Sequence, residues 1–93
     1  MTNKVQNMTS KNGNKIANQF IIWTDNGSIF QSYESTICQI ELGGSTYLDI
    51  NKWNYSKTTA KYRNIFLCES TKETEDRIKS GEYILTDLNK KEI

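Results

Sequence analysis

The sequence predicts an α+β fold: an antiparallel meander of four or five strands, followed by two short helices and a C-terminal strand. Three observations predict it. Segments of β-branched and aromatic residues alternate with Gly-containing turns over residues 17–49. Two helix N-cap signals then follow, at Ser56 and Ser70. A last apolar segment, YILTDL at residues 83–88, predicts a strand that closes the fold.

The first strand pair surrounds the sequence TDNG. Asn26-Gly27 is typical of a two-residue type I′ hairpin turn, because both turn positions need a positive φ. That turn predicts strands over residues 17–24 and 28–33, with Trp23 opposite Phe30. Two further strands are expected over 36–41 and 46–49, joined by a turn at Gly43-Gly44, and an edge strand over residues 5–8 is left open.

This register places large apolar side chains on both faces of the meander. Ile21, Trp23 and Phe30 share one face, whereas the opposite face carries Phe20, Ile22, Ile29 and Tyr33. A small meander usually has one face in the core and one in water. Two interpretations stay open. Either the helices cover one face and the N-terminal segment covers the other, or an apolar patch is left for a partner or a second copy.

Both helices have local start signals. Ser56 can cap a helix over residues 57–67, in which Tyr62, Ile65 and Phe66 share the face expected to point to the core. Ser70 opens a capping box, S-x-x-E, and Gly81 stands where a left-handed residue after the helix is expected.

Composition narrows the function classes. The 93 residues predict one domain over residues 1–93, with a net charge of +1 and no His, so the usual general base is missing. No phosphate-binding loop, nucleophile elbow or set of zinc ligands is found, so we predict neither an enzyme nor a bound cofactor or metal. A secretory signal and a membrane span are also missing, which predicts a cytoplasmic protein that does not bind membranes.

The charges form blocks, and the most informative one surrounds the stretch WNYSKTTAKYR. Residues 50–68 contain four cations and no acid, whereas residues 25–49 contain four acids and no cation. Tyr, Trp and Arg are enriched at energetic hot spots of protein interfaces, and aromatics among cations also suit single-stranded nucleic acid. The predicted contact patch consists of Trp53, Tyr55, Lys57, Lys61 and Arg63, with Gln31 and Tyr33 added from the sheet.

The motifs NQF (18–20), FQSY (30–33) and YSKTTAKYR (55–63) carry a resemblance that extends from Met8 to Leu88. The chain resembles an uncharacterised family of small proteins encoded by bacteriophages and mobile elements of Firmicutes and gut bacteria. Cys68 departs from that pattern, which has Gly after FL. The family has no established activity, so the resemblance implies a phage or mobile-element origin rather than a mechanism.

Together these observations predict a small non-enzymatic accessory protein that binds a host protein. The more specific form of this prediction is an anti-CRISPR-like inhibitor of a host defence system. The alternative is binding to single-stranded nucleic acid through the same segment, where only three or four phosphates could be neutralised by its cations. A homodimer stays open.

Overall fold

A single sheet contains all six strands of the computed structural model, which describes residues 4–90. The first five strands form the predicted antiparallel meander, and the last joins it in parallel because the two helices return the chain to the same end of the sheet. The α+β class and the edge strand left open near residues 5–8 are confirmed. In chain order the elements are β1 (Lys4–Thr9), β2 (Lys15–Thr24), β3 (Gly27–Ser32), β4 (Ser35–Glu41), β5 (Thr46–Asp49), α1 (Lys57–Leu67), α2 (Thr71–Lys79) and β6 (Tyr83–Thr86).

The β2–β3 hairpin has a different register from the one predicted. Thr24 pairs with Gly27 and Ile21 pairs with Phe30, so the predicted Trp23–Phe30 pair is wrong. Gly27 is needed in the strand rather than in the turn, because a Cβ there would lie 1.9 Å from the Ile40 carbonyl oxygen in β4. The shift is two residues, and a two-residue shift leaves the paired side chains of β2 and β3 on their predicted faces.

An irregularity in the β1–β2 pair changes which residues of β2 face the helices. Ile16 packs against the core and Gln19 is buried, although residues three apart lie on opposite faces of a regular strand. The register shifts between Asn7 and Thr9 of β1, which pair with Phe20 and Lys15 of β2. Asn18 lies between these two partners and takes a φ of 64°. Asn tolerates this left-handed conformation better than most residues do.

Both helices begin where the sequence predicts. Ser56 accepts a hydrogen bond from the Thr59 amide at 3.1 Å, and Ser70 forms the full capping box with Glu73. Tyr62 and Phe66 pack against the core as expected. Ile65 does not, since it is 55% exposed, and the expectation that it points inward is wrong. The helix is rotated so that the polar Thr59 and Arg63 are its buried positions instead.

The core lies between the helices and one face of the sheet. Phe30 is fully buried and its ring stacks on that of Phe66, with centres 5.8 Å apart. The segment after β6 then closes the ends of β5 and β4. The Leu88 amide donates to a carboxylate oxygen of the buried Asp49 at 2.7 Å. The side chain of Asn89 exchanges two hydrogen bonds with the main chain of Thr36.

Candidate binding surfaces

The face of the sheet opposite the helices, called the outer face below, carries a row of large side chains. Strand pairing aligns one residue of every strand, so the row crosses the whole sheet. Five of its six members are apolar or aromatic, and the sixth is an uncharged amide. The row consists of Val5, Ile22, Ile29, Gln39, Tyr47 and Ile84.

The outer row is accessible at both ends, and few charged side chains surround it. Val5 is 61% exposed and Ile84 is 45% exposed, while the members between them are half-buried by their neighbours. Of the side chains in the two adjacent rows, only Glu41 and the buried Asp49 are charged. Those adjacent rows consist of Asn7, Phe20, Gln31, Thr36, Asp49 and Thr86 on one side and Thr24, Gly27 and Glu41 on the other.

The outer face of the meander is not covered in the way that one of the two interpretations required. Within residues 4–90 the N-terminal segment forms β1 and extends the sheet edge, so it does not cover the outer face as one interpretation required. α1 lies on the opposite face, through the Phe30–Phe66 stack and a 3.0 Å hydrogen bond between the hydroxyls of Ser32 and Thr59, and α2 packs against the same core through Ile78. No described helix or strand packs on the outer row.

The three aromatic rings of residues 53–63 are each paired with a cation from the same basic segment, residues 50–68. Lys52 lies 4.9 Å from the Tyr55 ring centre, and Arg63 lies 5.1 Å from that of Trp53. Lys61 lies 5.2 Å from the ring centre of Tyr62. Contacts of this kind stabilise the fold locally. Three of the four cations of this segment therefore contact its own rings, which explains within the fold why they stand there without acids.

Arg63 is not a surface contact, and its assignment to the predicted patch is wrong. The side chain is fully buried and its NH1 donates to the Trp53 carbonyl and to Asn54 Oδ1. Its NH2 donates to Asn64 Oδ1 and Thr71 Oγ1, both at 2.9 Å. Burial lowers the pKa of the guanidinium. Arg63 thus joins the loop before α1 to the start of α2.

Trp53 also belongs to the fold more than to the surface. It is half-buried, packs against the core and contacts Arg63, so part of its surface is already used within the fold. The remaining members on the helix side stay accessible. Tyr55 is 46% exposed, and Lys57 and Lys61 are both exposed on α1.

The two predicted sheet residues lie at the β3–β4 turn. Gln31 points to the outer face and donates a 2.7 Å hydrogen bond to the Tyr33 carbonyl. Tyr33 is 49% exposed and has a φ of 56° in the turn, so it is not on the outer face as the pattern predicted. Ser32 contacts Thr59 in the first turn of α1, which brings this turn of the sheet close to the start of the helix.

A buried carboxylate that the sequence did not single out connects the two helices to β6. Glu69 accepts hydrogen bonds from Thr74 Oγ1 at 2.6 Å and from the Tyr83 hydroxyl at 2.7 Å. Arg77 Nε lies 3.2 Å from the same carboxylate, whose side chain is only 5% exposed. In the sequence Glu69 stands beside the capping box, and nothing local distinguishes it from the surface acids of α2.

Reactive chemistry has few candidates in the described part of the chain. Burial raises the pKa of the Cys38 thiol, so this sulfur stays protonated and unreactive, while Cys68 is exposed at the end of α1. Residues 4–90 contain no group of three or more side chains that could hold a metal ion. No helix in this range is both long and apolar enough to cross a membrane.

Comparison with known proteins identifies the family. The model of a family of unknown function, DUF8033, matches residues 3–82, which covers most of the chain. The chain belongs to DUF8033. Curated proteins and solved structures yield no match. In this DUF8033 member the matched range contains five of the six strands and both helices, and it includes the Arg63 network and most of the outer row.

Proposed function

We propose that this DUF8033 member is a non-enzymatic protein-binding module that uses the outer face of its sheet. One observation carries the proposal: the outer row crosses all six strands without a charged residue, and no described helix or strand packs on it. Soluble proteins rarely leave a continuous apolar patch without a binding role. Covering it would contribute about 25 cal/mol of favourable free energy for each Å² of apolar surface removed from water.

The composition of the outer face favours a protein partner over a charged polymer. The three central rows contain two charged side chains, Glu41 and Asp49, and Asp49 is already buried and accepts hydrogen bonds from two main-chain amides. Docking of a protein would therefore remove water from few charged groups. Tyr47 near one end offers both a ring and a hydroxyl, which is a frequent combination at interface hot spots. Gln31 and Gln39 offer amides that fix the orientation of a partner by hydrogen bonds.

The resemblance to small phage and mobile-element proteins makes a protein of the host cell the expected partner. Inhibition of a host defence system in the cytoplasm is the more specific form of this proposal. A compact chain that folds around a polar internal network and presents one uncharged face is suited to blocking a surface of a larger protein.

The test compares two surface variants as baits. The outer-face variant Ile22→Thr/Ile29→Thr/Ile84→Lys introduces Thr, which favours strands, and Lys in the edge strand β6, where edge strands commonly have it. The matched control Tyr55→Ala/Lys57→Ala alters exposed residues near α1. Circular dichroism and thermal melts first establish that both are folded. Each bait is then used to capture proteins from host lysate treated with nuclease.

We expect wild type and the helix-side control to retain the same protein, and the outer-face variant to lose it. Retention by the outer-face variant together with loss by the control would contradict the proposal. Light scattering of the free protein addresses the homodimer: a dimer that becomes monomeric in the outer-face variant would assign this face to a second copy instead.

Single-stranded nucleic acid is the second candidate, favoured by one cluster. Tyr55, Lys57 and Lys61 remain exposed, and the two lysines stand one helical turn apart. It ranks second because Arg63 and Trp53 are engaged internally, and one face of the Tyr55 ring is already occupied by Lys52. Titration of a labelled oligothymidine at about 20 mM salt, where screening is weak, tests it. Binding that weakens in Lys57→Ala/Lys61→Ala would support this candidate, and the absence of binding would remove it.

A further inference from the structure

A groove lies on the helix side of the molecule, between α1 and the β1–β2 turn. It has a volume of about 590 Å³ and is lined by residues 9–12 of the turn, by Ile16 of β2, and by Lys61, Tyr62 and Ile65 of α1. This volume lies within the usual range of ligand-binding pockets. The groove is separate from the outer face, because α1 packs on the other side of the sheet.

Local hydrogen bonds hold the turn side of the groove. The Ser10 amide donates to the Asn14 carbonyl at 2.8 Å, and the Gly13 amide donates to the Ser10 carbonyl at 2.9 Å. The Ser10 hydroxyl also accepts from the Asn14 amide. The irregularity at Asn18 turns Ile16 toward the helix and so supplies the apolar floor on the sheet side. The groove is therefore formed before any ligand binds.

The groove combines an apolar floor with a cationic rim. Ile65 is 55% exposed there, so the floor of the groove offers an accessible aliphatic side chain. Lys11 and Lys61 stand at the rim, and none of the lining residues is acidic. Lys61 is held over the Tyr62 ring at 5.2 Å, so its ammonium stays close to the floor.

We infer that this groove binds an acidic, amphipathic segment of a partner protein. Charge complementarity defines the occupant: carboxylates would meet Lys11 and Lys61 at the rim, while an apolar side chain would lie between Ile16 and Ile65. Nucleic acid fits the groove less well. The floor is mainly aliphatic, its single ring is already in contact with Lys61, and only two cations line it.

Fluorescence anisotropy with a labelled 12-residue peptide tests the inference. The probe carries a central Leu-Phe pair flanked by Asp and Glu; one control peptide replaces the acids by Asn and Gln, and another replaces Leu-Phe by Ser-Ser. We expect the acidic amphipathic probe to bind the full chain about tenfold or more tightly than either control peptide, which corresponds to about 1.4 kcal/mol.

Protein variants then locate the binding. Lys61→Glu and Ile65→Ser should each weaken the probe about tenfold, while Lys57→Glu should weaken it less than about threefold. Lys57 is the matched control because it is an exposed lysine of the same helix that does not line the groove. Equal weakening by Lys57→Glu, or undiminished binding to Ile65→Ser, would overturn the inference, as would a stronger affinity for oligothymidine than for the peptide.

The peptide-binding test of the groove is independent of the proposed function of the outer face. The outer-face variant Ile22→Thr/Ile29→Thr/Ile84→Lys leaves every groove residue in place, so it should bind the peptide like wild type. Loss of the peptide in that variant would place the peptide on the sheet and overturn the groove assignment. Peptide binding confined to the groove variants supports the groove whether or not the outer face captures a host protein.

Discussion

The guanidinium of Arg63 lies 5.1 Å from the centre of the Trp53 ring and also donates a hydrogen bond to the carbonyl oxygen of Trp53. One side chain in the middle of α1 thereby holds both the ring and the main chain of the loop before that helix. The same guanidinium reaches Thr71 at the start of α2. The position of both helices on the sheet therefore depends on Arg63, which nothing in the sequence distinguishes from the other cations of residues 50–68.

Arg63→Ala should destabilise the protein without directly removing a surface contact. Hydrogen bonds from a charged donor contribute about 1.5–3 kcal/mol each, so the loss of several should lower the free energy of unfolding by about 3 kcal/mol or more. Arg63→Lys should recover little, because an ammonium cannot reproduce the planar fork of donors. Urea unfolding measures both. Lys57→Ala is the control, expected to change stability by less than about 0.5 kcal/mol because Lys57 is exposed on the same helix. An Arg63→Ala protein as stable as wild type would contradict the assigned role.

Glu69→Gln should loosen the attachment of α2 and β6. A carboxamide cannot accept from Thr74, Tyr83 and Arg77 together, and one lost partner in a buried network costs about 1–3 kcal/mol. Amide hydrogen exchange should show faster exchange in β6 than in β2 and β3. The control Asp76→Asn breaks an exposed pair with Lys72 and should cost less than about 0.5 kcal/mol. Unchanged protection of β6 would argue against the network.

Cys68→Gly should stabilise the protein. Cys68 ends α1 with a φ of 58°, in the left-handed region that costs a residue with a Cβ about 1–2 kcal/mol. Part of that gain is offset because Gly is more flexible in the unfolded chain, so we expect a net gain of about 0.5–1 kcal/mol. Differential scanning calorimetry checks the shift. Asn18→Gly is the comparison, and its gain should be smaller because Asn tolerates this conformation. A lower melting temperature for Cys68→Gly would refute the prediction.

Stability should fall at alkaline pH partly because of Tyr83. Burial raises the pKa of Tyr83, and its hydrogen bond to the Glu69 carboxylate raises it further, whereas Arg77 opposes the shift. A raised pKa in the folded state gives stability that is complete below the unfolded value of about 10 and is lost as pH rises above it. Tyr83→Phe should have a shallower loss of stability than wild type above about pH 10. Chemical denaturation at several pH values measures the two slopes, and identical slopes would contradict the assignment.

Local signals account for what the sequence predicted well. The caps at Ser56 and Ser70 and the left-handed Gly81 depend on hydrogen bonds and backbone angles within a few residues, so they could be found from spacing alone. The alternation of apolar residues in β2 and β3 also assigned their faces correctly. The register of this hairpin could not be predicted in the same way. Gly27 must lie in the strand because it approaches Ile40 of β4 closely, and the local pattern around the turn does not specify that contact.

The predicted binding patch shows a different limit. Spacing along α1 places Lys57 and Lys61 on the surface correctly, but it cannot show that the preceding loop folds back over the helix. That contact turns Arg63 and Trp53 into parts of the fold. Conversely, the groove at Ile65 arises from the irregular backbone at Asn18 and from the rotation of α1, neither of which has a signal in the apolar pattern.

The parallel pairing of β5 with β6 has a consequence for the order of assembly. Each antiparallel pair of the meander joins neighbouring segments of the chain, whereas Asp49 meets Thr86 only after both helices have been traversed. Closing so long a connection is slow compared with hairpin formation. During synthesis on the ribosome, β5 must therefore remain an unpaired sheet edge until residues 83–86 have emerged. Over that interval the nascent chain exposes the backbone hydrogen-bonding groups of β5 to other strands, so the vulnerable step in making this protein is the wait for β6.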